Sequence, residues 1–264
     1  MKSLAKYWSI FQTTLINSLA YPGELVGRSL VIIPFMWIFY QLWNVTFSAA
    51  GTESISGLTL RDTLWYLMLA ETVELSRPQL ARNISENVKD GSIAYLLNKP
   101  YDFLLYQFST SMGETLFRAV TNAFFGGAVV WWMVGPPPHF SGFLIVIPAL
   151  IGAWTLNFCA TAMIGLAAFV TEDVSAFTWI YQKFAFILGG LLIPLDFYPA
   201  WLQSIAKALP FSSMVYGPAR LFVNPTPDQF ANVILMQSVW ILVLGALLTV
   251  IYRRGLAYLT VNGG

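Results

Sequence analysis

The chain has 264 residues, of which 57% are hydrophobic and only 10% charged, where a soluble globular domain carries about 25% charged residues. Its 14 Lys and Arg offset 13 Asp and Glu, for a formal net charge of +1, so there is no basic stripe for nucleic acid and no acidic disordered tail. A soluble enzyme and a nucleic-acid-binding protein are excluded, and the long apolar blocks make the bilayer the relevant solvent. The one cysteine, Cys159, has no internal disulfide partner and rules out cysteine-based zinc sites.

Residues 1–22 read as an amphipathic helix on the cytoplasmic face of the membrane. Leu4, Trp8, Phe11, Leu15 and Leu19 fall at helical spacing before Pro22, while Ser9, Gln12, Thr13, Thr14, Asn17 and Ser18 interrupt any signal-peptide core. The alternative is the same helix packed on protein rather than on lipid. Residues 23–264 read as one transmembrane domain. Spans are expected at about 25–48, 58–81, 103–134, 142–170, 175–195 and 230–252, each long enough for the roughly 20 residues that cross about 30 Å of hydrocarbon. The expected fold class is an all-α polytopic membrane protein with six transmembrane helices.

Orientation follows from the basic residues. With the N-terminus inside, Lys2, Lys6, Arg28, Arg77, Arg82, Lys89, Lys99, Lys183, Arg253 and Arg254 fall at or near the cytoplasmic side. Arg61, Lys207 and Arg220 fall outside, and Arg118 lies within a span. Both termini are then cytoplasmic, and Trp37, Tyr40, Trp43, Trp131, Trp132, Trp201 and Tyr216 gather at the outer interface, where amphipathic rings are favoured.

Two connections carry pattern. Between the second and third spans, segment 83–100 is longer than a simple join requires. Asp90-Gly91-Ser92 breaks it, and Ile93, Leu96 and Leu97 form a short apolar face before Pro100. It reads as a docking element or a solvated loop. After the fifth span, Gly189-Gly190 and Pro194 to Pro199 precede a short amphipathic piece, 199–209, too short to span. Trp201, Leu202, Ile205 and Leu209 make its apolar face, and Pro210 closes it. A re-entrant or outer-face helix, lining a cavity near the outside, and a simple kink both fit this run.

Ionisable groups within spans are costly. Glu71 lies near the middle of the second span and Glu74 almost a turn nearer the inside, where it is expected to pair locally with Arg77. Glu114 and Arg118, at i and i+4 on the third, can form a salt bridge. Glu71, Glu114 and Arg118 either line the substrate path or clamp the second span to the third. His139 reads as a solvated turn residue with no second histidine for a metal, and Glu172-Asp173 as a turn that caps the fifth span or touches a partner. Gly23-x-x-x-Gly27, Asn44-Val45-Thr46 and Asn83-Ile84-Ser85 carry no weight. A membrane-embedded catalyst would need paired histidines or a Ser/His/Asp set, neither of which one histidine supplies.

The order of segments resembles the membrane subunit of an ABC transporter of the type-2 permease class. The residues that carry the likeness are Gly91-Ser92-Ile93 through Leu97-Asn98-Lys99-Pro100, and Pro194-Leu195 through Trp201-Leu202, Ile205-Ala206 and Leu209-Pro210-Phe211. The resemblance implies an exporter whose pathway is formed by two permease subunits, identical or homologous, in the plasma (inner) membrane of a prokaryote. It implies that two cytoplasmic ATPase subunits bind a coupling helix at Glu86, Asn87, Val88, Lys89, Asp90, Gly91, Ser92, Tyr95 and Leu96, and that Pro199 to Leu209 lies near the exit. The chain has no phosphate-binding loop of the G-x-x-x-x-G-K-[ST] form. No cofactor or metal is therefore expected in this chain, and ATP and Mg belong to the partner. An ion- or proton-coupled transporter using Glu71 and Glu114 is the competing expectation.

Overall fold

Helix dominates the computed structural model, which describes residues 2–20, 23, 27, 29–171 and 173–262. The N-terminal helix α1 (Lys2–Ala20) lies along α6 (Phe103–Val134). Gly113 permits this approach, since a Cβ there would sit 2.9 Å from the Phe11 carbonyl oxygen and the Thr14 Cβ. The helix is tied at its start as well. The Asp102 N–H donates to the Tyr7 hydroxyl at 2.8 Å and Lys6 Nζ to the Pro100 carbonyl at 3.2 Å. Leu4, Trp8 and Leu19 stay exposed, so α1 rests on protein along one face and presents an apolar stripe along another.

The next helix, α2 (Ile32–Ala50), buries Ile32, Met36, Phe39, Trp43 and Phe47 at helical spacing. It stops at Gly51, whose φ of +61° costs a glycine little. A two-residue hairpin, β1 (Ser54–Ile55) with β2 (Leu58–Thr59), pairs Ser54 with Thr59 and leads directly into α3. A capping box between Thr59 and Asp62 starts α3 (Leu60–Leu75), which is buried without interruption from Thr63 to Val73. A helix buried on all sides is the centre of a bundle, and α3 packs against α2, α6 and α12 (Tyr216–Val223).

Two short helices follow, α4 (Leu80–Lys89) and α5 (Ile93–Leu97). Asp102 then accepts from the Leu105 N–H at 2.9 Å to cap α6, and this helix runs for 32 residues. Beyond the turn at Gly135 come α7 (Gly142–Leu166), the single turn α8 (Ala168–Thr171) and α9 (Ser175–Leu188). A 3-10 turn at Leu195–Phe197, α10 (Ala200–Ala208), α11 (Pro210–Met214) and α12 form an irregular cluster before the last helix, α13 (Pro227–Asn262). A buried amide ties this cluster to the bundle: Gln237 of α13 donates to the Ala149 carbonyl at 2.8 Å and to the Ser213 carbonyl at 2.9 Å.

Among the described residues two helical stretches, Gly142–Thr171 and Pro227–Tyr258, are long and apolar enough to cross a membrane. The third segment coincides with its expected bounds, whereas the second and fifth are shorter. At 16 and 14 residues, α3 and α9 cover about 24 and 21 Å of axis. The second departs because Pro78 withholds an N–H and the chain turns at Ser76–Gln79. The fifth stops because Gly190 adopts a φ of +72°. The last exceeds its expected bounds at both ends. The start of the first span at Leu25, Pro22, Arg28 and Glu172 lie outside the described residues.

Candidate functional site

The break after α3 brings Arg77, which lies in the break itself, together with Arg118 of α6 at one stretch of backbone. Ser76 turns its hydroxyl back onto the Thr72 carbonyl, and Arg77, 11% exposed, pairs with Glu74 one turn earlier. Arg77 also reaches across the bundle: Nη1 donates to Asn157 Oδ1 of α7 at 3.1 Å, and the guanidinium lies 5.5 Å from the Tyr181 ring centroid of α9. Tyr181 donates to the same Asn157 oxygen at 2.7 Å. Arg118 of α6 contributes Nη1 to the Arg77 carbonyl at 3.1 Å, while its Nη2 pairs with Glu114 at 3.2 Å.

The site therefore joins α3, α6, α7 and α9 through charge-assisted hydrogen bonds, which are the stronger kind in a medium poor in water. Of the intramembrane candidates, Glu114 and Arg118 come together as the i,i+4 spacing anticipated. Glu71 is buried at 4% exposure and lies in the field of Arg77 rather than against Glu114 or Arg118. Arg77 differs from expectation, because its pair with Glu74 is one part of an interhelical network. Asn157 and Tyr181 were not singled out from sequence. Uncharged and apart along the chain, they become partners only when α7 and α9 pack side by side.

A cavity of about 510 Å³ opens beside this network, lined by Arg77, Arg82, Arg118, Glu74, Asn122 and Gln182 among others. Glu74 belongs to the last turn of α3 and Arg77 and Arg82 to the connection between α3 and α6, whereas Arg118 and Asn122 come from the middle of α6.

That connection is held down by packing. In α4, Leu80, Ala81, Ile84 and Ser85 are buried, and Gly165 of α7 lets the helix approach: a Cβ there would meet the Ile84 Cδ1 at 2.9 Å. Glu86, Lys89, Asp90, Gly91 and Tyr95 are exposed, and Asn87, Val88, Ser92 and Leu96 are half-buried. Gly91 supplies the positive φ of +76° between α4 and α5. Ser92 stitches the turn, its N–H donating to Asp90 Oδ1 at 2.9 Å and its hydroxyl bonded to Asn87 Oδ1 at 3.0 Å. The Ser92 side chain and then its N–H, both acting on Asp90, hold that carboxyl below the usual carboxylate range.

Lys89 pairs with Asp173, before α9, at 3.0 Å. The Ser175 N–H donates to Asp173 at 2.7 Å, and these contacts hold its carboxyl far below the ordinary range, with the Ser175 bonds the larger cause. Asp173 thus accepts from the first N–H of α9, as a capping turn would, and also receives the Lys89 ammonium of the same chain. Lys99 lies 4.5 Å from the Tyr95 ring centroid and 5.7 Å from that of Tyr101.

At the opposite end, the irregular cluster is locked to α3. The Tyr66 hydroxyl donates to the Gly190 carbonyl at 2.7 Å, the Tyr216 hydroxyl bonds to Asp196 Oδ1 at 3.2 Å, and Arg220 approaches the same oxygen at 3.4 Å. Pro194 precedes the 3-10 turn and Pro199 opens α10; Trp201 and Ile205 are exposed, Leu202 and Leu209 half-buried, and Pro210 starts α11. The apolar face of α10 is therefore divided, with Trp201 and Ile205 directed outward. The ion pair Asp196–Arg220 was not anticipated, since the two lie 24 residues apart and only the fold of the cluster joins them.

The model of the ABC-2 family transporter protein matches residues 31–263. The chain belongs to the ABC-2 transporter family. No curated protein matches it. As an ABC-2 permease it is a transmembrane transport component of an ABC transporter.

Proposed function

We propose that this ABC-2 permease is one membrane subunit of an exporter, driven by a separate cytoplasmic ATPase that docks on the segment from Glu86 to Leu96. Six spans carry it through the plasma (inner) membrane of a prokaryote with both termini inside. Two permease subunits, identical or homologous, form the pathway, and ATP and Mg reside in the ATPase dimer. The observation that carries this reading is the Lys89–Asp173 bridge at 3.0 Å. It joins the surface of the connection after α3 to the start of α9, so a push on one exposed segment reaches two spans at once. Glu86, Lys89, Asp90 and Tyr95 are exposed on that surface, as a partner's footprint requires.

The contact works by transmission through rigid pieces. The buried face of α4 sits on α7 through Ile84 and Gly165, and Arg118 reaches the Arg77 carbonyl from α6. Closure of the ATPase would then move α4 and, through these contacts, the spans around the cavity, turning it from inward to outward access. Purification in mild detergent from the native host tests this. A co-purifying ATPase with vanadate-sensitive hydrolysis, lost when Lys89, Asp90 and Gly91 are replaced by Ala, is the expected result. A wild-type protein that comes out alone and inert overturns it.

A further inference from the structure

A second cavity, of about 320 Å³, lies among α10, α11, α12 and α13, within the usual size range for small-ligand sites. Every residue on its wall is described, and no carboxylate stands there. Of its two cations, Arg220 is offset by Asp196 through their 3.4 Å contact and adds no net charge. Lys207 is not offset. Its ammonium bonds to the neutral Gln203 amide at 3.1 Å and lies 5.5 Å from the Tyr216 ring centroid, and among the described residues no carboxylate pairs with it. Asp228, the acidic residue that opens α13, is off the wall. Ser213, 6% exposed, and the exposed Asn232 line the same space, and neither side chain has a hydrogen-bond partner among the described residues. One uncompensated ammonium beside an unused hydroxyl and an unused amide favours an anion that carries several oxygens.

The cavity is continuous with an apolar track. Asn232 and Met236 both line it and sit one turn apart on α13. Along the same helix face, at intervals of three and four residues, Val239, Val243, Leu247 and Val250 follow, each 46–49% exposed. From Met236 to Val250 this track covers about 21 Å of axis, more than the roughly 15 Å that one leaflet contributes to the hydrocarbon core. A cationic, hydrogen-bonding pocket that runs into such a track has the two-part chemistry of an acidic amphiphile. We infer that the cavity holds the headgroup of an anionic phospholipid whose acyl chains lie along α13. Lys207 supplies the countercharge of the phosphate, and Ser213 and Asn232 hydrogen-bond the headgroup oxygens. A zwitterionic head brings its own cation toward Lys207 and fits less well. The assignment requires a bilayer around the chain and nothing of the exporter or ATPase reading.

The test uses the full-length protein in mild detergent, with its co-purifying partners retained, titrated with phosphatidylglycerol, phosphatidylcholine or inorganic phosphate, the bound molecules being counted by native mass spectrometry. Saturable binding of phosphatidylglycerol is expected, at least fivefold tighter than that of phosphatidylcholine, with no binding of inorganic phosphate. Lys207 and Asn232 are both exposed, so Lys207→Gln and Asn232→Trp, which removes the charge and fills the cavity respectively, make little demand on folding. Each is expected to weaken phosphatidylglycerol binding at least fivefold. Lys183→Gln, at an exposed lysine of α9, is the control and should leave it unchanged. Equal binding of the two lipids, binding unaltered by both cavity variants, or the same loss in Lys183→Gln overturns the inference, the last because it would show attraction by surface charge at large. Inorganic phosphate that binds as tightly as the lipid overturns the lipid assignment in favour of a free anion. Whether an ATPase co-purifies changes none of these outcomes, so this inference and the permease reading fail separately.

Discussion

Arg118 Nη1 donates to the main-chain carbonyl of Arg77 at 3.1 Å, so a side chain from the middle of α6 satisfies backbone that α3 leaves open where it breaks. Non-helical backbone at membrane depth persists only where protein or water covers its polar groups. Arg118→Ala removes that donor and leaves Glu114 without its partner. We expect a loss of about 1–3 kcal/mol, read as a lower thermal midpoint of the purified protein. Arg118→Lys should recover part of it, and a midpoint unchanged by the alanine would remove this role.

The approach of α4 to α7 depends on Gly165. A β-branched side chain there meets Ile84 and the Ala81 backbone, so Gly165→Val should displace α4 at a cost of about 1–3 kcal/mol. Co-purification of the ATPase with this variant should fall while the protein still reaches the membrane. Retention of wild-type amounts of partner would dissociate α4 position from docking.

Asp173 has the pH signature of a carboxylate with better partners in the folded state. Its folded pKa is depressed by the Ser175 and Lys89 contacts, so its stabilising contribution is present above the unfolded value of about 3.9 and declines as pH falls toward the folded value. Stability curves of wild type and Asp173→Asn should therefore separate above about pH 4 and converge in stronger acid. Parallel curves across that window would show that Asp173 contributes nothing through its charge. Because the bridge is solvent-exposed, added salt should narrow the gap.

Gly190 combines a positive φ of +72° with close neighbours, since a Cβ there would lie 2.8 Å from the Tyr66 hydroxyl oxygen. Gly190→Ala should lower the thermal midpoint more than Tyr66→Phe, which only removes the donor to the Gly190 carbonyl and costs about 1–3 kcal/mol. The reverse order would mean that the turn relaxes around the added methyl group.

Much of the fold was legible in the chain because hydrophobic length and turn residues act locally. Asp102 and Gly135 mark the ends of α6, Pro199 and Leu209 flank the short α10, and Gly91 separates α4 from α5. The i,i+4 pair of Glu114 and Arg118 was likewise written into one helix. The helix of the second segment ends at Leu75, short of the expected 81, because Pro78 withholds an N–H, and Arg118 then donates to the Arg77 carbonyl in the opened backbone.

Local sequence thus determined an apolar, helix-built chain with its charges concentrated at a few points, since burial and helix spacing depend on neighbours along the chain. Only the tertiary structure decided that Arg77 meets Asn157 across 80 residues, that Lys89 meets Asp173 across 84, and that Asp196 meets Arg220. Electrostatic and hydrogen-bonding partners are selected by distance in space, and the packing of helices, which no single segment encodes, sets that distance.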